Sequence, residues 1–188
     1  EDDRIQVGPD MSFFTQNSVP AMESIGKKKE VTLLLERFGT VGLTSEGADR
    51  GQRYYLRNVV FEDGGNQVSD KDDQGAVILN FFWDSASNFT AISHDMAQNL
   101  GLLNRPSDFT CQLTDTTQLA GYEIDSVVMT GNFGLSYTIE NARICVANST
   151  NPFPFGGVQA KARIGSNFFD QVPILFHGPF NTLTILSD

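Results

Sequence analysis

Apolar and polar positions alternate in short runs along most of the chain. Arg53–Glu62 (RYYLRNVVFE) and Gly75–Trp83 (GAVILNFFW) are dense in aromatic and β-branched residues, which suits strands that bury at least one face. Shorter strand patterns recur at Phe109–Leu113, Leu119–Thr130, Leu135–Val146 and Thr182–Leu186. Between the first two runs, the polar, glycine-containing stretch Asp63–Gln74 reads as the elongated turn of a hairpin. Val31–Phe38 is too short an apolar run to choose between strand and helix. Ser93–Leu100 predicts a helix: Ser93 suits an N-cap, Gly101 a stop, and Met96, Ala97 and Leu100 share one face. Ser166–Val172 predicts a second short helix, halted by Pro173. Gly39–Arg50 and Asn148–Gly157 read as loops. Many short strands and two short helices predict an all-β, barrel-like fold. Residues 1–52, polar at first and without a clear period, read as a partly ordered N-terminal arm ahead of a domain at 53–188.

Composition narrows the function classes. With 188 residues and 40% hydrophobic content, the chain has enough apolar material for one packed domain. Asp and Glu number 23 against 13 Lys and Arg, a net charge of −10, which argues against a grip on nucleic acid by phosphate neutralisation. The basic run Lys27-Lys28-Lys29 reads as a solvated patch. The longest apolar stretch, Ala76–Trp83, is interrupted by Asn80 and is too short for a membrane span, so no membrane partner is expected. A chain that opens Glu1-Asp2-Asp3 reads as a piece of a longer protein. Cys111 and Cys145 are too few for a disulfide framework; they read as small apolar fillers or as one bridge. Asn88-Phe89-Thr90 and Asn148-Ser149-Thr150 match the glycosylation acceptor pattern, which by itself does not establish secretion. His94 and His177 have no ligating neighbours at metal spacing, and neither a nucleophile elbow nor a glycine-rich phosphate loop occurs, so neither metal nor cofactor is expected.

The informative segment is Phe81-Phe82-Trp83-Asp84-Ser85-Ala86-Ser87, with Phe89 and Ile92 resuming the apolar pattern before a helix. An acid at the end of a buried strand is costly unless it is hydrogen-bonded or functional. Small neighbours let another backbone approach it. Asp84-Ser85-Ala86-Ser87, Ala91-Ile92-Ser93 and Leu100-Gly101-Leu102 together resemble the active-site region of retropepsins, in particular the proteases of BEL/Pao-type and gypsy-type retroelements. The second signature of that family is matched by Ile164-Gly165-Ser166-Asn167. The resemblance covers roughly Arg53 to Asp188.

The resemblance implies a closed β domain that works as a symmetric homodimer, each chain giving one catalytic Asp84. Two carboxyls so close share a proton. One activates a water and the other donates to the scissile carbonyl, with no metal or covalent intermediate. Ser85 would brace the paired loops, and Ala86 and Ser87 would complete the active-site loop. Ile164, Gly165 and Asn167 would form the structural motif. Thr182, Leu183, Thr184, Ile185 and Leu186 would join an interface sheet with the partner's terminus. Leu113, Thr114, Asp115, Thr116 and Thr117 would form a flap closing over an extended polypeptide bound as an added strand.

Two departures touch the catalytic parts. Ala86 stands where the family has Gly, and a methyl there is strained if the backbone is left-handed. The flap stretch Leu113–Leu119 has no glycine. Two functions follow: an aspartic endopeptidase cleaving polyprotein-like substrates, or a weakly active or inactive retropepsin-like module for dimerisation or peptide binding. The few cysteines and the retroelement-like pattern suggest an intracellular, cytoplasmic setting.

Overall fold

One long strand joins two parts of the sheet. Lys29–Phe38 alternates so that Val31, Leu33 and Leu35 turn into the core, while Leu34, Glu36 and Arg37 face solvent. The computed structural model describes residues 4–7, 13–15, 29–38, 53–72, 74–76, 78, 80–112, 117–150, 152–155, 158–170 and 172–187. Its strands are β1 (Arg4–Val7), β2 (Phe13–Thr15), β3 (Lys29–Phe38), β4 (Arg53–Leu56), β5 (Val59–Asp63), β6 (Asn66–Ser69), β7 (Phe81–Trp83) and β8 (Thr90–Ile92). After helix α1 (His94–Asn99) come β9 (Phe109–Gln112), β10 (Gln118–Thr130), β11 (Ser136–Val146) and β12 (Phe153–Phe155). The last four are β13 (Val158–Ala160), β14 (Ala162–Ile164), β15 (Ile174–His177) and β16 (Thr182–Ser187).

The fold is all-β, a curled half-barrel sheet with few helices. The first half of β3 pairs with β16, and its second half with β4. From β4 the order runs through β7, β14, β8, β11 and β10 to β5 and β6. Inside the curl, Leu33, Phe61, Phe81, Ile92, Met96 and Ile144 are fully buried or nearly so, and the Phe61 and Phe81 rings meet at 5.2 Å. Helix α1 begins as its sequence predicts: the Met96 N–H donates to Ser93 Oγ at 3.3 Å, and Met96 and Ala97 face the core.

Several boundaries differ from expectation. The run Arg53–Glu62 is two strands, because Asn58 turns the chain at a positive φ of 55°. The buried Asp70 carboxylate fixes that corner by accepting the Asn58 N–H at 2.9 Å. The runs Arg53–Glu62 and Gly75–Trp83 pair as expected only through β4, which is antiparallel to β7. Gly64 and Gly65, both at positive φ, make a two-residue turn that pairs β5 with β6. Among its described residues the stretch Ser166–Val172 holds one 3₁₀ turn, Ser166–Phe168. Part of 148–157 is strand β12, paired with β13. The boundary expected at 52/53 falls inside the sheet, since β3 lies on its N-terminal side and β1 pairs with β15.

Cys111 and Cys145 form a disulfide, so they are not separate apolar fillers. Their Cα atoms are 6.1 Å apart, and the bridge sits in a small cluster with Ala91 and Leu119. It joins β9 to β11, 34 residues apart in sequence. Replacing both cysteines with Ala is expected to lower stability by about 2–4 kcal/mol, mainly because the unfolded chain loses its cross-link. Urea denaturation of the oxidised protein and of the double variant measures this difference.

Candidate active site at the end of strand β7

The site is built by a crossing of chain segments. β14 lies between β7, to which it is parallel, and β8, to which it is antiparallel. The loop 84–89 that joins β7 to β8 must therefore straddle the C-terminal end of β14. The continuation of β14, Gly165-Ser166-Asn167, runs under that loop. Two motifs 80 residues apart in sequence are thus brought into contact.

Hydrogen bonds lock this crossing. The Asp84 N–H donates to the Ile164 carbonyl at 2.9 Å, and the Ser166 N–H to the Ser87 carbonyl at 2.8 Å. The Gly165 N–H donates to Thr90 Oγ1 at 3.0 Å, and Thr90 Oγ1 bonds Asn167 Oδ1 at 2.9 Å. Asn167 Nδ2 reaches the Arg143 carbonyl on β11 at 3.0 Å. Ser87 Oγ donates to the Phe89 carbonyl at 2.9 Å. Gly165 is required by this approach: a Cβ there would stand 2.4 Å from the Phe89 carbonyl oxygen.

Asp84 is half-buried at the rim. Its Oδ1 accepts the Ala86 N–H at 3.2 Å, and its carbonyl accepts the Ser87 N–H at 3.1 Å, so the loop is a tight Asx-type turn. Ser85 is half-buried in that turn and Ala86 is exposed. Ala86 is absent from the residues at positive φ, so its methyl costs no backbone strain and the left-handed penalty does not apply.

Asp84 borders a cavity of about 470 Å³. Arg53, Trp83, Phe153 and Arg163 also line it. Arg163 is a site residue that the sequence motifs do not mark. Its signal was a lone cation between the buried Ala162 and Ile164 on a strand leading into the Gly165 motif. Its guanidinium lies 5.2 Å from the Phe89 ring centroid and 5.8 Å from that of Phe153. Burial pulls this guanidinium below the usual arginine range, and the Asp84 carboxylate opposes that pull.

A larger cavity, about 630 Å³, lies elsewhere, between β6 and α1. Its Asp95 is paired with Lys161 at 2.5 Å, and that hydrogen bond holds the acid below the usual carboxylate range. A carboxylate so committed is poorly suited to proton transfer, so size does not decide the site. No group of three His, Cys, Asp or Glu side chains able to hold a metal occurs among the described residues.

The remaining expected positions are spread around this centre. Of the flap, Leu113, Thr114, Asp115 and Thr116 lie outside the described residues; Thr117 is exposed, just ahead of β10. Thr182–Leu186, expected at an interface, form most of β16. β16 is hydrogen-bonded to β15 on one edge and to β3 on the other, and Leu183, Ile185 and Leu186 are buried. Among the described residues both edges of the strand are thus paired within the chain.

No family model and no curated protein matches the chain. Among solved structures it is similar to conglutin gamma, a basic 7S globulin from lupine seeds, with a TM-score of 0.55 and 10% identity, over 100% of this chain and 51% of that one. Basic 7S globulin from soybean gives 0.50 and 11%, over 98% and 52%. A retropepsin-like aspartic protease from Rickettsia conorii aligns over 85% of this chain and 96% of that one, at 13% identity and a TM-score of 0.45. The chain thus spans about half the length of each globulin. What the chain shares with the two globulins at these identities is the fold.

The clamp gives a prediction. Gly165→Ala should cost about 1–3 kcal/mol, because the added methyl meets backbone that cannot move aside. Ala86→Gly should cost less, about 0.4–1 kcal/mol, through the greater freedom of the unfolded chain alone. Thermal and urea melts of the two variants test this order.

Proposed function

We propose that the chain is one half of a retropepsin-like aspartic endopeptidase, which cleaves polypeptides when two copies bring their Asp84 carboxyls together. The observation that carries this reading is the position of Asp84. It stands at the end of β7, on a loop held by the Gly165 turn, at the rim of an open cavity. In the paired site one carboxyl holds the shared proton and the other takes a proton from water as that water attacks the peptide carbonyl. The protonated partner donates to the carbonyl oxygen. Unstrained Ala86 supports turnover, since the turn forms without glycine. The half-length match to the globulins supports reading the chain as a fold unit that needs a second one. With the edges of β16 occupied, the copies would meet through the loop rims around Asp84 and Ser85 rather than by adding strands there. The two sequence motifs support a retroelement-type lineage.

A second reading is a binding or dimerising module with little turnover. Arg163 favours it, because a guanidinium beside Asp84 offers that acid a charge partner in place of a second carboxyl. The compartment is also open to test. A closed Cys111–Cys145 bridge suits an oxidising compartment better than the cytoplasm expected from sequence.

The test is a peptide-cleavage assay over a range of chain concentrations. Activity per chain should rise with concentration as dimers form, follow a bell-shaped profile on the acid side, and fall at least 1,000-fold in Asp84→Asn, on the order of an activated water's contribution. Peptides that bind without being cut, in wild type and Asp84→Asn alike, would leave the binding module in place of the enzyme.

A further inference from the structure

The cavity beside Asp84 is positively charged in a protein of net charge −10. Two arginines, Arg53 and Arg163, and one carboxylate, Asp84, are among the residues that line it. The Arg53 guanidinium is stacked over the Phe82 ring at 4.6 Å. Arg163 is the less committed of the two. It is half-buried, sits near two phenylalanine rings, and makes no side-chain hydrogen bond or ion pair among the described residues. Its Nε is buried and orphaned, as is Nε1 of the neighbouring Trp83. A half-desolvated cation without an acceptor is an expensive arrangement, and both arginine and indole can only donate. Such a wall is completed by a ligand that brings acceptor oxygens and negative charge. Phosphate-sized anions would satisfy the charge alone, but Phe82, Phe153 and Trp83 add apolar surface suited to a side chain with a methylene stem.

We infer that this cavity is a specificity pocket for an acidic side chain, Glu or Asp, of the bound polypeptide, with Arg163 as its principal recognition residue. The inference rests on the proposed reading of the groove as a polypeptide site and names what that site selects. The planar guanidinium donates two parallel hydrogen bonds to a carboxylate, a charged pair that a glutamine amide cannot reproduce. Arg53, which also lines the cavity, adds positive field. The order of the strands makes the pocket rigid: Arg163 is paired with Phe82 in register between β14 and β7. The acid it selects would lie within a residue or two of the bond facing Asp84.

Binding, not cleavage, provides the test. The full chain is titrated with ten-residue peptides whose central amide is replaced by an uncleavable reduced bond. Each peptide is otherwise neutral and carries Glu at one position, with a Gln counterpart. Trp83, the single tryptophan, lines the pocket and reports binding by its fluorescence. At one position, Glu should bind about tenfold or more tighter than Gln, as expected for a charge-assisted pair. The preference should shrink as salt rises. Arg163→Gln should bring the ratio to about one, and Arg163→Lys should keep part of it; the melting curve of each variant verifies folding. Equal binding of Glu and Gln peptides at every position, or an intact preference in Arg163→Gln, would overturn the inference while leaving an active protease possible. Acid preference without any cleavage of ordinary peptides would uphold the inference and remove the enzyme reading. Failure of every peptide to bind would remove both.

Discussion

The bond network around Gly165 is the constraint on which the site depends. A loop that must pass over the end of β14 can reach Asp84's position only if the backbone beneath it is bare. Glycine supplies that, and Thr90 and Asn167 then occupy the polar groups the crossing would otherwise strand. The network also ties the site to the core. Thr90 is fully buried on β8, and Asn167 reaches β11 through the Arg143 carbonyl. The acid therefore sits on a loop in sequence terms but on a rigid frame in mechanical terms, which suits the proposed meeting of two such carboxyls within hydrogen-bond reach.

Electrostatics give the same rim its second character. Asp84 and Arg163 lie on neighbouring strand ends, close enough to influence each other without an ion pair among the described residues. In the proposed reading one group transfers a proton and the other recognises the substrate. If both serve one polypeptide, the arginine orients an acidic side chain while the carboxyl acts at the backbone. If no second carboxyl arrives, the same two groups make a binding cleft. Both readings use one geometry and differ in what meets Asp84.

Much of this was legible in the chain. Strand-forming runs marked β7, β9, β10, β11 and β16, because alternation and β-branched residues report a half-buried surface directly. Ser93 and Gly101 marked the ends of α1 for equally local reasons. The two motifs were visible, and the crossing brings them into contact. What could not be read was non-local. Asn58 breaking a long apolar run depends on a buried Asp70 twelve residues away. The burial of β3 depends on β16 at the other end of the chain. The disulfide needs the curl of the sheet to bring Cys111 to Cys145. Arg163 became informative only once Phe89 and Phe153 were placed beside it.

The most direct measurement of the central claim is native-state amide hydrogen exchange at Gly165 and Ser166. If the crossing is a rigid clamp, these two amides exchange only through global unfolding, as slowly as the amide of the fully buried Ile144. Exchange at Gly165 and Ser166 orders of magnitude faster than at Ile144 would show a loosely held loop and contradict the account of how Asp84 is positioned.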